Sequence, residues 1–309
     1  MIPGTDPFSG VLAITVTSDS LIGLFAFTIS FGTLLYLAAL GELIAERSGV
    51  LNLGVEGMMA MGAASAFIVG IETGNPWVAL LVGIGVGALT GGIHALLSVI
   101  IGADQVVSGL SLTIFGLGMG AFMGQDYVGR PPGAQFKSVD IPGLSELGWI
   151  GEIFFQQPPI VYFTGVVGVV AWFVLHRTRL GLGLRAAGES AATADATGHS
   201  VAGLRVGAVM TGGALAGASG AYLSLSLAPS FTEGITNGWG WIAVALVLVG
   251  AWSPGRVALA ALLFGFPIAL QPRLQTFGND VSPLLLSMLP YLLTVAAMVL
   301  LSIRARHRP

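Results

Sequence analysis

The stretch HRTRLGLGLRAAGESAATADATGHS, residues 176–200, is the longest polar break in the second half of an otherwise apolar chain. VYFTGVVGVVAWFVL (161–175) precedes it and VGAVMTGGALAGASGAYLSLSL (206–227) follows it. Both flanks read as membrane spans. The break itself, 177–200, is basic, rich in small residues and carries Ala-rich helix-forming runs. A loop of that kind between two spans is what a membrane protein presents to a cytoplasmic partner.

Composition points the same way. Of 309 residues, 54% are hydrophobic and 9% charged, against about 25% charged in soluble domains. That much apolar surface has no place in a soluble core of this length, so the expected fold is an all-α polytopic bundle in lipid, one transmembrane domain over 1–309. The 46 glycines sit among Leu, Val and Ala, which suits close helix approach in a bilayer and not a low-complexity chain. The absence of cysteine removes disulfides and thiolate chemistry. The chain has no HExxH and no GxxxxGK[ST], hence no zinc-protease helix and no ATP site of its own. Residues 217–220, GASG, fit the Gly-x-Ser-Gly of intramembrane proteases. A serine nucleophile needs a base within hydrogen-bond reach, and the only later histidine is His307 in the tail, so Ser219 reads as a packing residue. No metal, no bound cofactor and no nucleic-acid partner are expected. The chain reads as a conduit.

Nine spans are expected: 21–41, 50–71, 77–101, 106–124, 160–175, 204–227, 239–252, 256–271 and 284–303. The seventh and eighth are short, so one of them suits a re-entrant piece. A polar corner, GELIAERSG (41–49), separates the first two, and a 34-residue polar segment, 125–158, rich in Pro and Gly, follows the fourth. Alternating the spans gathers nine arginines (47, 177, 179, 185, 205, 256, 304, 306 and 308) on one side. Arg130, Lys137 and Arg273 lie on the other. The positive-inside rule then puts 177–200 and the C-terminus in the cytoplasm, 125–158 outside, and the whole in a cell membrane. The start, MIPGTDPFSG, lacks the basic region of a cleavable signal.

The second span is unusual. Asn52 and Glu56 lie near its start with Gly54 and Gly57 around them, a composition that predicts a broken or re-entrant helix. Four residues apart, they share a helix face. They line a translocation path, or Glu56 sits at the bilayer boundary and touches water. His94, alone on the third span, reads as a satisfied packing residue. Gly83, Gly87 and Gly91 form one bare stripe there, and Gly116, Gly120 and Gly124 repeat it on the fourth. GALTGGIHALLS (87–98) matches GALAGASGAYLS (213–224) at seven of twelve positions. The two spans run in opposite directions, and inverted repeats mark transporters. For an organic solute, Asn52, Glu56, Gln105, Ser108, Asn237 and Trp239 are the polar and stacking candidates. Trp239 and Trp241 also suit an interfacial aromatic belt.

Four stretches carry a family resemblance: ALGELIAERSGVLNLGVEGMMAMGA (39–63), DQVVSGLSLTIFG (104–116), GLGLRAAGESAATADATGHS (181–200) and GWGWIAVALVLVGAWSP (238–254). Together they resemble the nucleoside and simple-sugar branch of bacterial and archaeal ABC-importer permeases, in the superfamily of the ribose and branched-chain amino acid permeases. The resemblance covers about residues 20–302, and SGVLNLGVEG is its most specific part. It implies a type II-like permease fold and a prokaryotic source. It also implies a second, related permease subunit, a cytoplasmic ABC ATPase that hydrolyses ATP, and an extracytoplasmic substrate-binding lipoprotein. Arg185, Ala186, Gly188, Glu189 and Gly198 match the segment that couples such permeases to the ATPase, with Gly183 and Gly188 expected to make its turn. The chain departs from the family pattern at Trp239 and Trp241, which leaves the solute open. A competing reading of the same chain is an ion-coupled secondary transporter with Glu56 as coupling site.

Overall fold

The computed structural model describes residues 18–276 together with positions 288, 289, 292, 295, 296 and 299. The first seventeen residues, the expected last span and the arginine-rich tail therefore lie outside the described residues, apart from those single positions. The first helix, α1 (Ser18–Arg47), runs for 30 residues. The expected polar corner at 41–49 is instead its last two turns, because Glu42 is buried and has a partner inside the protein. The chain turns only at Ser48-Gly49, where Gly49 takes a φ of +86°, a region open to glycine.

Residues 50–54 are not helical, and α2 (Val55–Thr73) starts after them. The predicted break is thus real, but Asn52 lies ahead of the helix and shares no helix face with Glu56. Gly74, at φ +64°, closes α2. The side chain of Asn75 then accepts from Trp77 N and Val78 N, and Pro76 opens α3 (Pro76–Ala95), where its missing N–H costs nothing. A wide π-type turn, Leu96–Ile100, extends α3. Asp104 caps α4 (Gln105–Gly124) by accepting from Val107 N.

The polar segment 125–158 has structure of its own. Val139–Asp140 (β1) pairs antiparallel with Gln156–Gln157 (β2), Val139 opposite Gln157, across a short helix α5 (Gly148–Phe154). Phe136 N donates to Leu225 O, and the Phe136 ring meets Trp77 edge-on at 4.8 Å, which ties the segment to the ends of the spans. After α6 (Pro159–Arg177), the 177–200 break forms two short helices, α7 (Arg179–Glu189) and α8 (Ala191–Ala196), before α9 (Val201–Tyr222). Thr178, Ser190 and Ser200 cap the three by accepting from Gly181 N, Thr193 N and Gly203 N. Gly183 and Gly188 lie inside α7, so the expected glycine turn is made at Ser190, whose extended backbone separates α7 from α8. A second π-type turn, Leu223–Leu227, ends α9.

The helix α10 (Trp239–Val249) has eleven residues, about 16 Å of rise, too little for a hydrocarbon core of about 30 Å. Its run ends at Ala251 and Trp252, both at positive φ, and α11 (Pro254–Thr276) returns. Of the two short spans expected, 239–252 is thus a half-helix and 256–271 is longer than expected. Among the described residues, seven helices are long and apolar enough to cross a membrane.

Of these spans α2 is the most deeply buried, and beside it α3 and α9 pack antiparallel through bare backbone. A Cβ on Gly87 would fall onto Gly213 O, one on Gly217 onto Gly83 O, and one on Gly91 would come within 2.8 Å of Val209 O. The two segments matched in the repeat meet at their first residues, Gly87–Gly91 against Gly213–Gly217. The likeness extends beyond this contact, since each helix widens into its π-type turn at nearly the same place, Leu96 and Leu223. Ser219 donates to Leu34 O at 2.7 Å and is fully buried, which makes it a link from α9 to α1, not a nucleophile.

Candidate functional site

The non-helical segment 48–54 is buried or half-buried, and side chains take over much of its backbone hydrogen bonding. They arrive from four helices. Glu42 on α1 accepts from Asn52 N at 2.9 Å. Gln105 at the start of α4 accepts from Leu51 N at 2.9 Å. His94 on α3 bonds Leu51 O through Nε2 at 3.1 Å, and its Nδ1 is held by Ser108 Oγ at 3.0 Å. Thr113 donates to Leu53 O at 2.7 Å, and Arg205 on α9 donates to Ser48 O at 3.1 Å. Asn52 folds back on its own segment, accepting from Gly54 N at 3.0 Å. Gly109 on α4 is what permits this approach, since a Cβ there would come within 2.7 Å of Leu53 N; Gly116, the first of the α4 stripe, does the same for α2, where a Cβ would meet Gly57 O.

Glu56, in the first turn of α2, reaches across to α10. Its Oε1 accepts from Gly238 N at 2.8 Å and its Oε2 from Gly240 N at 2.6 Å. A carboxylate astride two orphan N–H groups at a helix N-terminus is stabilised by the bonds and the helix dipole together. Gly238 sits at φ +80° and Asn237 at φ +45°, so the chain enters α10 through a left-handed pair. Trp239 stacks edge-on against Phe31 at 4.8 Å, while Asn237 is exposed. The structure brings Asn52, Gln105 and Ser108 together around segment 49–54, and Glu56 links the start of α2 to the backbone at the start of α10. Trp239 packs on Phe31 instead, and Asn237 is not joined to the other candidates by any of these bonds. The polar atoms of Glu56 and Ser108 and the Asn52 oxygen are engaged in bonds within this joint.

The joint continues to α7. Arg47 donates to Trp252 O through Nε and Nη2, at 3.2 and 2.9 Å, and the Trp252 indole N–H donates to Glu46. Arg205, already on Ser48 O, also donates to Ala187 O at 3.0 Å. Gly188 lies so close to Arg47 that a Cβ there would meet the Arg47 carbonyl oxygen. Around these groups opens a polar cleft of about 250 Å³, lined by Glu46, Arg47, Arg185, Gly188, Glu189 and Trp252. Arg185 donates to Gly181 O within α7, Ala186 is half-buried, and Glu189 is exposed. Gly198, at φ +81°, makes the exposed turn before α9, apart from this cleft. The ends of α1, α7 and α10, assigned to one side of the membrane by the arginine count, do meet at one end of the bundle.

A chain of contacts from a helical connector to a half-helix buried in the bundle is the arrangement of a transport subunit, and sequence comparison agrees. A family model described as "Branched-chain amino acid transport system / permease component" matches residues 24–300. The chain belongs to this permease family. Among its relatives is TsgC13 of Haloferax volcanii, provisionally named a glucose ABC transporter permease protein, 43% identical over 84% of this chain and 80% of the relative. The guanosine ABC transporter permease protein NupQ of Bacillus subtilis is 34% identical, over 88% and 89% of the two chains. The nucleoside ABC transporter permease protein NupC of Lactococcus lactis is 32% identical, over 87% and 89%. No solved structure matches the chain. The permease is accordingly a multi-pass membrane protein and a transport subunit of ABC type.

His94, Thr113, Arg47, Arg205, Glu46 and Trp252 complete the site without having been singled out as functional in the sequence. For His94 the only signal was its place in an apolar span. It is indeed a satisfied histidine, but what it satisfies is the segment leading to Glu56.

Proposed function

We propose that the permease is one of two related membrane subunits of an ATP-driven importer in a prokaryotic cell membrane, with its C-terminus in the cytoplasm, and that it passes nucleosides or simple sugars. A cytoplasmic ABC ATPase hydrolyses the ATP, this chain binding no cofactor, and an extracytoplasmic lipoprotein delivers the solute. The names of TsgC13, NupQ and NupC support the solute class. Arg185, Ala186, Gly188, Glu189 and Gly198 receive the ATPase, and Asn52, Glu56, Gln105, Ser108, Asn237 and Trp239 belong to the substrate path.

The observation that carries this reading is the double bridge of Arg205. Its guanidinium holds Ala187 O at the end of α7 and Ser48 O at the start of the buried segment. A shift of α7 therefore pulls on residues 48–54, and through Glu56 on the N-terminus of α10. In the competing ion-coupled transporter Glu56 would need a free carboxylate, whereas both its oxygens are taken up by backbone N–H groups.

The test is uptake into proteoliposomes holding the assembled importer, with guanosine and glucose offered separately. One of them is expected to accumulate on ATP addition. Arg185→Glu is expected to assemble normally and lose at least tenfold in uptake, about 1.4 kcal/mol of coupling. Unchanged uptake by Arg185→Glu would overturn the coupling role. Accumulation by this chain alone under a proton or sodium gradient would overturn the ATP-driven reading in favour of the ion-coupled one.

A further inference from the structure

A second cavity lies on the outside of the bundle, away from the joint. It is a crevice of about 370 Å³ between α6, α7 and α9, with Val170 and Val174 on one wall, Leu180 and Leu184 at one end, and Gly207 and Thr211 on the other wall. Its lining on α9 runs from Gly203 to Leu215, about 18 Å at the helical rise. That is close to the depth of one leaflet of a core about 30 Å thick. The crevice is long, apolar and open on a helix face built for lipid: Val166, Val169 and Phe173 are 62%, 67% and 54% exposed.

The α6–α7 corner, which supplies Leu175 and Leu180 to the lining, has the opposite character in the residues next to them. The chain carries no acidic residue between Glu152 and Glu189, while His176, Arg177, Arg179 and Arg185 fall within that interval. Arg177 lies over the Trp172 ring at 5.9 Å, and His176 stacks on the same ring, an aromatic and basic group of the kind that marks a membrane interface. Arg179 is exposed at the first position of α7. Basic side chains at the cytoplasmic end of a cleft between spans favour anionic headgroups.

We propose that this crevice is a binding site for an anionic phospholipid, one acyl chain lying along Gly207 with the phosphate on Arg177 and Arg179. The lipid then touches Leu180 and Leu184 of α7 directly, so the composition of that leaflet sets how freely α7 moves. The site does not depend on which solute is carried.

The test uses the assembled importer, extracted from membranes and examined by native mass spectrometry after exposure to phosphatidylglycerol or phosphatidylcholine. Two variants separate the two halves of the site. Arg177→Gln with Arg179→Gln removes the headgroup charges. Gly207→Leu plugs the crevice, since a Cβ on Gly207 meets nothing within 4 Å and the variant has room to fold. Phosphatidylglycerol is expected to be retained at least fivefold over phosphatidylcholine, and each variant is expected to abolish that preference, while Lys137→Gln at the other end of the bundle leaves it intact. Equal retention of the two lipids by the unaltered protein would overturn the proposal, as would retention unaffected by Gly207→Leu. Cysteine is absent from the chain, so Val170→Cys gives a single reporter. Its disulfide cross-linking to another subunit bearing its own single cysteine would show the crevice to be a protein interface and would equally overturn it. Uptake is read separately, so failure here leaves the importer assignment standing.

Discussion

The α3–α9 contact and the joint around residues 48–57 lie in the same apolar bundle and solve the backbone problem in opposite ways. At α3–α9 every peptide group is satisfied within its own helix, and the helices meet by having no side chains at Gly83, Gly87, Gly213 and Gly217. At the joint the backbone leaves the helix, and at least five side chains from four helices replace the lost ladder. The first arrangement is close-packed and has one geometry. The second rests on discrete bonds that can be exchanged, which is what an element with two positions requires. In this permease the glycine contact and the joint are adjacent, since α9 carries both the glycine stripe and Arg205.

The contrast is broken most severely at the glycine contact. Gly87→Val would place a side chain onto the Gly213 carbonyl, where the obstacle is backbone and has nowhere to go. Overpacking of ordinary cores costs about 1–3 kcal/mol, and this variant is expected at or above the upper end, with little monodisperse protein recovered in detergent. Gly92→Ala on the same helix is the control, since its Cβ would meet only the Met210 side chain at 3.8 Å. Equal recovery of Gly87→Val and Gly92→Ala would mean that the stripe is not the fixed element.

The next largest effect belongs to the joint. Glu56→Ala leaves Gly238 N and Gly240 N without their carboxylate, about 1–3 kcal/mol for each buried unpaired donor. Glu56→Gln keeps one acceptor oxygen and is expected to retain part of that. Unlike the glycine variant, Glu56→Ala is expected to be recovered from membranes, to have a lower midpoint of thermal unfolding and to lose uptake. Full uptake by Glu56→Ala would sink the role of α10 as the end of the mechanical chain.

The glycine contact was the more legible of the two in sequence, and the reason is range. Glycines every four residues and a match of 87–98 to 213–224 are local patterns, and the structure packs the glycines that begin those stretches against each other. The spans 77–101, 106–124, 160–175 and 204–227 likewise fall close to where apolar runs placed them. What failed were stretches whose partners lie far away. Glu42 and Glu46 read as a polar corner because their partners, Asn52 N and the Trp252 indole, are 10 and 206 residues distant. The run 239–252 reads as one of two short spans, one of them suited to a re-entrant piece, and counting apolar residues does not decide which because it cannot see Gly250 and the positive-φ pair Ala251-Trp252 ending α10. Asn52 and Glu56 were singled out correctly as unusual, but a helical spacing rule was applied across a segment that is not helical.

The smallest effect sharpens the comparison most, because it removes the same kind of bond from the joint and from a helix whose own ladder is intact, at the neighbouring α9–α1 contact. Thr113→Val deletes the hydroxyl that donates to Leu53 O, and Ser219→Ala deletes the one that donates to Leu34 O, both bonds being 2.7 Å long. Leu34 lies within α1, so its carbonyl keeps a ladder partner when Ser219 is lost. Leu53 lies ahead of α2, and its carbonyl depends on Thr113. Hydrogen bonds between spans average about 0.6 kcal/mol and reach about 1.7; Ser219→Ala is expected near the low figure and Thr113→Val near the high one. Thr113→Ser, which restores the hydroxyl, is expected to recover most of the difference in unfolding midpoint. If the two deletions cost the same, the buried segment 48–54 holds its shape without its borrowed partners, and the distinction between a ladder-satisfied contact and a side-chain-satisfied joint has no energetic content.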